Sequence, residues 1–388
     1  MCNFRDVATT RHLAVLGLLV SLIACAEEPA QVSPGVALFE TPPGFPEMRV
    51  PDDNPLTAEK AELGRFLFHD ERLSSNGSSS CRSCHEQARA FSDGRVTAID
   101  AAGHSLLRNS LSLGNVAYRG TLTWANPNLT ALEDHLLEHL FGSGPASLGE
   151  SADAVLSQIA ADETYQRLFA DAFFDDGSVT REAIVRALAS FARTIVSGNS
   201  PFDRYLYYDE GAALTDSARR GMGLFFSERL ECHHCHGGFS FAESSVHLEV
   251  GMDAEPFHNI GLYDVDGSGA YPEADTGLYS VTGRPEDMGR FRAPSLRNVA
   301  ATGPYMHDGS IETLDEVVRV YEAGGRVLID GPFAGDGRSN PLKSELIKGV
   351  TLTDEEREDL LSFLSALTDA DFLVSSHLAD PFEDDRPL

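Results

Sequence analysis

Cys81-Arg82-Ser83-Cys84-His85 and Cys232-His233-His234-Cys235-His236 set the architecture of this chain, because each reads Cys-x-x-Cys-His. Two intervening residues space the thiols to add across the vinyl groups of one haem, and the adjacent imidazole then reaches the iron from one face. Two rivals stand beside that reading. Zinc wants four ligands gathered in space, and a thiol redox motif has no need of a following histidine, twice over. Two covalent haems of the c type are the expectation. His233 and His234 are read as exposed spacers within the second motif.

Working outward, the residues before each motif repeat. Gly64-Arg65-Phe66-Leu67-Phe68-His69-Asp70-Glu71-Arg72-Leu73 and Gly221-Met222-Gly223-Leu224-Phe225-Phe226-Ser227-Glu228-Arg229-Leu230 share Gly-x-x-Leu-Phe-x-x-Glu-Arg-Leu. Duplication of a helix-plus-haem module would leave this pattern. Ala58–Phe68 and Asp216–Phe226 show apolar spacing of three and four and open near a threonine; Ala183–Val196 is a third amphipathic stretch. Thr353-Asp354-Glu355-Glu356 is a capping box that starts a helix through Leu367. No βαβ alternation appears. The fold expected is mainly α: two cytochrome c-like haem domains related by the repeat, with long loops such as His258–Arg290. The N-terminal domain is placed at 56–205 and the C-terminal one at 206–388, with the boundary near Asn199–Ala212.

The remaining cysteines report the compartment. Arg5 and Arg11 precede the apolar run Leu13–Ile23, too short to span a bilayer, which ends in Leu22-Ile23-Ala24-Cys25. That ending resembles a bacterial lipobox: residues 1–24 would be the signal peptide and Cys25 the lipid site of an exported protein. Residues 25–55, rich in Pro and Glu, then read as a tether on the membrane face. An ordinary cleaved signal is the alternative. The net charge of -30 would repel a phosphate backbone, so nucleic acid is excluded as a partner, whereas a basic protein is compatible.

Beyond the haem motifs, several stretches carry a family resemblance: Arg108-Asn109-Ser110, Thr123-Trp124, Phe291–Val299, Thr302–Ser310 and Thr313-Leu314-Asp315-Glu316. With them the chain resembles the bacterial di-haem cytochrome c peroxidases and their MauG and MbnH relatives over about Leu56 to Asp380, with wording around Leu122–Pro127 and Ser227–Gly238 nearest the MbnH branch. The resemblance implies that the N-terminal haem, on His85, meets peroxide, and that the C-terminal haem, on His236, is low-spin. Residues alone leave Met252, His258, Met288, Met306, His307 and Tyr321 as candidates for the far face of that second iron. Cytochrome c peroxidases place a methionine on the helix after the Asp-Gly-Ser motif, MauG-like enzymes a tyrosine, and Tyr321 stands there. A neutral sulfur favours Fe(II); a phenolate oxygen favours Fe(III) and can support a high-valent di-haem state.

The same resemblance makes Trp124, the sole tryptophan, a relay for oxidising equivalents, and makes Asn109, Thr302 and Pro304 ligands of one calcium ion. Where relatives carry a proline and a distal glutamate, this chain has His139 and Ala146-Ser147-Leu148-Gly149. The acid–base role at the first haem therefore falls to His139, Glu150 or the Ser147 stretch. Asp264-x-Asp266-x-Ser268-Gly269 resembles the start of a calcium loop but lacks its final glutamate, and is read as a solvated loop. Three functions follow as expectations. The first is an oxidase that uses hydrogen peroxide to modify an aromatic residue, a tryptophan foremost, of a secreted metal-binding protein of the MbnP kind. The second is a peroxidase fed by small cytochromes or cupredoxins. The third is a two-haem electron carrier with no enzymatic role, in which His104 would close the first iron.

Overall fold

The computed structural model describes residues 40–174, 176–251 and 256–382; the expected signal peptide, Cys25, the tether up to residue 39 and Met252 lie outside them. Helices dominate: α1 (Ala58–His69), α2 (Leu132–Phe141), α3 (Ala152–Ala160), α4 (Glu163–Ala172), α5 (Arg181–Thr194) and α6 (Pro201–Tyr207) come first. They are followed by α7 (Asp216–Phe225), α8 (Cys232–Cys235), α9 (Tyr279–Thr282), α10 (Leu314–Ala323) and α11 (Asp354–Ser365). Two small antiparallel pairs join β1 (Phe257–His258) to β2 (Phe291–Arg292) and β3 (Val327–Leu328) to β4 (Gly335–Asp336).

The helix starts follow from side-chain capping. The hydroxyls of Thr57, Thr180, Thr215 and Thr353 accept a backbone N–H two or three residues into α1, α5, α7 and α11. Each satisfies one of the donors that a helix end leaves without a partner. The sequence expectation for these four helices is met within two residues at their starts.

Packing is built around two helix pairs. α1 lies on α5, and α7 lies on α11. Gly64 and Gly221 permit both contacts: a Cβ at Gly64 would sit 2.0 Å from the Ala187 carbonyl oxygen, and one at Gly221 would sit 1.9 Å from that of Asp359. Only glycine allows so close an approach. Around the first pair a core gathers Leu63, Phe66 and Leu67 with Ile159, Phe169, Leu188 and Phe191. Phe372 and Leu378 join it, so the C-terminal segment returns to the first core. Around the second pair lie Phe202, Phe225, Val318, Leu360 and Phe363. Each such side chain, fully buried, contributes about 1.5–3 kcal/mol.

Ser197 ties the two cores together. Asn115 receives the Ser197 N–H at its Oδ1 (2.8 Å) and donates back to the Ser197 carbonyl (3.0 Å). Asn298 donates to Ser197 Oγ (2.9 Å) and accepts from the Asp369 N–H (2.8 Å). Both asparagines hold a left-handed backbone, at φ 56° and 59°, and each opens a short 3₁₀ turn. Asparagine tolerates that conformation better than other non-glycine residues.

The part of the tether that is described is packed down. Phe45 is buried against Tyr118 and Phe239, Tyr118 Oη donates to the Pro46 carbonyl (3.2 Å), and Asn54 donates to Glu133 (2.7 Å). An aromatic anchor and a buried amide hold it. Composition alone does not reveal them.

Candidate active site

The second haem motif opens onto a cavity of about 340 Å³, lined by Cys232, Cys235, His236, Tyr321, Trp124 and Arg292 among others. α8 carries both cysteines, and His236 follows it directly. His236 Nδ1 lies 3.0 Å from the Pro294 carbonyl, which fixes the proton on Nδ1 and leaves Nε2 as the free donor. His85 repeats the device, with Nδ1 2.9 Å from the Phe91 carbonyl. Burial pushes the Cys81 and Cys232 thiols up to about 12, the opposite of the depressed thiol a redox motif needs. Cys81 packs on the first core and Cys232 on the second, so the two pairs do not converge on one zinc ion.

Two buried cations test the fit of haem further. Arg292 is 1% exposed, and its Nη1 and Nη2 have no hydrogen-bond partner among the described residues. Its Nε donates to the Thr123 carbonyl (3.0 Å). Arg119 is also buried; its Nη2 donates to the Ser112 and Gly114 carbonyls, but its Nε has no partner among the described residues and no carboxylate pairs with it there. Burial lowers Arg292 to about 10; burial, with the neighbouring Arg292, lowers Arg119 to about 9. Uncompensated charge of this kind is costly inside a protein and calls for an anion. The propionate carboxylates of a haem held by Cys232, Cys235 and His236 would supply one. The residues fit the group.

Tyr321, on α10, shares that cavity with His236, and its hydroxyl has no hydrogen-bond partner among the described residues. Burial, with the nearby Cys235 and Cys232, raises its phenol above the ordinary range. Two competitors, His307 and His258, line the same cavity but are engaged there. His307 is buried and stacked on Phe291 at 3.6 Å, and His258 is paired with Glu243. Met306 also lines the cavity, at φ 74°. Trp124 is fixed at both ends: Nε1 donates to the Asn109 carbonyl (2.8 Å), and its own carbonyl accepts from the Arg292 N–H (2.8 Å).

Around the first motif, His139 lies near enough to His85 to feel its charge, and burial, with His135 and His85, depresses it to about 3. His135 sits one turn earlier on α2, its ring centroid 5.6 Å from that of His139, and also acts on His85. Sequence reading missed His135, although spacing of four places both rings on one helix face. The other candidates lie elsewhere. Ser147 Oγ donates to the Gly142 carbonyl (2.7 Å), Glu150 is exposed, and His104 is 79% exposed beside Asp100. Of the proposed calcium ligands, Asn109 donates through Nδ2 to the Arg95 carbonyl (2.7 Å), and its N–H bonds the His307 carbonyl (2.8 Å). That bond ties Asn109 to the turn at His307, three residues beyond Pro304. In the 264–269 loop, Asp264 and Asp266 accept backbone N–H groups of their own turn.

Comparison with known proteins agrees with this geometry. The family model described as di-haem cytochrome c peroxidase matches residues 58–211. Cytochrome-c peroxidase IdrP1 of Denitromonas iodatirespirans is 34% identical over 378 residues, spanning 92% of this chain and 94% of its own. The chain belongs to the di-haem cytochrome c peroxidase/MauG family. It is accordingly a peroxidase-type oxidoreductase of two c-type haems. The MauG protein of Methylophilus methylotrophus is 32% identical over 359 residues, covering 92% of this chain and 95% of that one. Among solved structures, a MauG-like protein associated with microbial copper homeostasis superposes with a TM-score of 0.86 at 46% identity, over 89% of this chain and 99% of that one.

Proposed function

We propose that this member of the family is a MauG-like oxidase, which uses hydrogen peroxide to oxidise an aromatic residue, foremost a tryptophan, of a secreted partner protein. The observation that carries this is Tyr321, a phenol lining the cavity that also holds Cys235 and His236, with no hydrogen-bond partner among the described residues. When bound, the haems supply the redox chemistry, taking up the two oxidising equivalents of peroxide. His85 and His236 would each hold an iron through Nε2, their rings locked by the Phe91 and Pro294 carbonyls. Tyr321 Oη would be the second ligand at His236, where an anionic oxygen favours the oxidised metal. Trp124, held rigid by Asn109 and Arg292, would relay equivalents between the sites. His139, a buried ring close to His85, would take the first peroxide proton and return it to the leaving oxygen.

Several finer assignments rest on the same reading. Asn109, Thr302 and Pro304 would hold one calcium ion, the oxygen chemistry suiting it. The paired roles of Gly64 with Gly221, and of Asn115 with Asn298, support a duplicated haem module. No described helix is long and apolar enough to cross a membrane, and we place the protein in the periplasm, anchored by lipid on Cys25. The partner is a secreted metal-binding protein; the copper-homeostasis association of the 46%-identical structure favours that choice.

Electron paramagnetic resonance and Mössbauer spectra before and after peroxide, on wild type and Tyr321→Met, test the proposal. In the wild type both haem signals should change. Tyr321→Met should confine the change to the first haem, abolish partner oxidation and gain oxidation of a reduced small cytochrome. A wild-type second haem indifferent to peroxide would sink the oxidase reading and leave the peroxidase one, which the relatives named cytochrome-c peroxidase represent.

A further inference from the structure

The two residues between the cysteines of the second haem motif do more than set a spacing. His233 and His234 stack on one another, ring centroids 4.4 Å apart and planes 30° apart. Both turn Nε2 toward one carboxylate: His233 Nε2 lies 3.7 Å from Glu228 Oε1, and His234 Nε2 lies 3.4 Å from Glu228 Oε2. The three ligand atoms lie within 4.8 Å of one another. His233 Nδ1 is shut away from solvent without a partner, so that ring offers Nε2 alone to the outside.

These distances match a metal's needs. Donors about 2.0–2.2 Å from a tetrahedral ion stand about 3.4 Å apart. Neighbouring charges do not spoil the site, because Arg229 is engaged by Glu356 and Lys348 by Glu231. Among the described residues one other cluster has ligand spacing, Cys235 with Glu243 and His258. Its sulfur is committed to haem attachment, so it offers no comparable set.

We infer that Glu228, His233 and His234 form a surface site for a divalent late-transition metal ion, at the edge of the second haem where the thioether bonds are made. Two imidazoles and one carboxylate suit Cu(II) and Zn(II), and the general order of affinities places Cu(II) ahead. Three protein ligands leave one position open to water or to a donor atom from another molecule. Glu228 also lines the rim of the Tyr321 cavity. An ion held there is separated from the haem by little more than the bonds of His234 and Cys235. The site does not depend on what the haems oxidise, so it stands whether or not the oxidase reading does.

The test uses untagged holoprotein, stripped of adventitious metal and titrated separately with Cu(II), Zn(II) and Mg(II) by calorimetry. One equivalent of Cu(II) should bind, more tightly than Zn(II), with no response to Mg(II). The Cu(II) resonance should show nitrogen hyperfine structure and faster relaxation from the nearby haem. Glu228→Gln, His233→Gln and His234→Gln should each weaken Cu(II) by at least the roughly 10- to 100-fold that loss of even an outer-shell partner costs. Haem content, read as the pyridine haemochrome, should remain at two per chain. Glu228 lies outside the attachment motif, so its variant decides the matter should either histidine variant lose haem. Unchanged Cu(II) affinity in Glu228→Gln, or a copper spectrum without nitrogen ligands, would overturn the proposal.

Discussion

At the scale of single residues, the two haem sites differ in what faces them. The second offers Tyr321, Trp124 and the cation Arg292; the first offers His139 and His135 on α2, with Arg119 also acting on His85. If His139 is the proton-handling group, His139→Gln should slow peroxide turnover by about 10²–10⁴-fold, the usual worth of acid–base help. Both haems should stay attached, and the spectrum of the second should be unaltered. Stopped-flow mixing with peroxide reads the rate. Glu150→Gln is the paired measurement: Glu150 is exposed and, among the described residues, its side chain makes no bond to α2, so its loss should change the rate by less than about twofold against that scale. An equal loss in both variants would move the role away from His139. The haem attachment residues were legible because Cys-x-x-Cys-His is fixed by covalent chemistry. Arg119, Arg292 and His135 were not, because an isolated arginine or histidine acquires meaning only when burial and neighbours are known.

At the scale of elements, one helix contains its own control. On α7, Gly221 touches the backbone of α11, whereas Gly223 is exposed with nothing near its missing Cβ. Gly221→Ala must force the two helices apart and should destabilise by about 1–3 kcal/mol or more. Gly223→Ala fills open space on a helix and should stabilise by about 0.5–1 kcal/mol. Denaturant melts of the holoprotein would show shifts of opposite sign. Two shifts of the same sign would contradict the packing described. Legibility at this level followed periodicity. α1, α5, α7 and α11 carry capped, regular apolar patterns and were read to within a residue or two at their starts. α2, α3 and α4 were not read, since their patterns are short and broken by loops rich in Gly, Ser and Asp. The repeat Gly-x-x-Leu-Phe was visible as letters. The shared use of Asn115 and Asn298 went unseen until both were found in a left-handed backbone clasping Ser197.

At the scale of the whole molecule, acid should unfold this protein from near-neutral pH, despite the relief of its negative charge. The chain carries -30 at pH 7 with 13 histidines neutral, so protonating every histidine removes less than half of the net charge. Buried histidines act the other way. His307 lies under Phe291 with Asp308, Asp275 and Arg108 around it; burial outweighs the two carboxylates and lowers it from 6.5 to about 4. An unfolded chain therefore takes up a proton near 6.5 that the folded chain refuses until about 4. Stability is intact above the unfolded value and declines as pH falls toward the folded one. Below that window the paired carboxylates continue the loss. Asp359 is held below its ordinary 3.8 by Arg220 and Ser217, so the unfolded chain takes up a proton there that the folded chain still refuses. Thermal melts of the holoprotein from about pH 8 to about 3 should thus fall steadily from about 6.5, near the ordinary histidine value. His307→Gln keeps a planar polar side chain over Phe291 but cannot titrate, and should flatten the upper part of that curve while leaving the acid limb in place. A variant with the wild-type slope between 6.5 and 4 would mean that His307 is not the group through which mild acid acts on the fold.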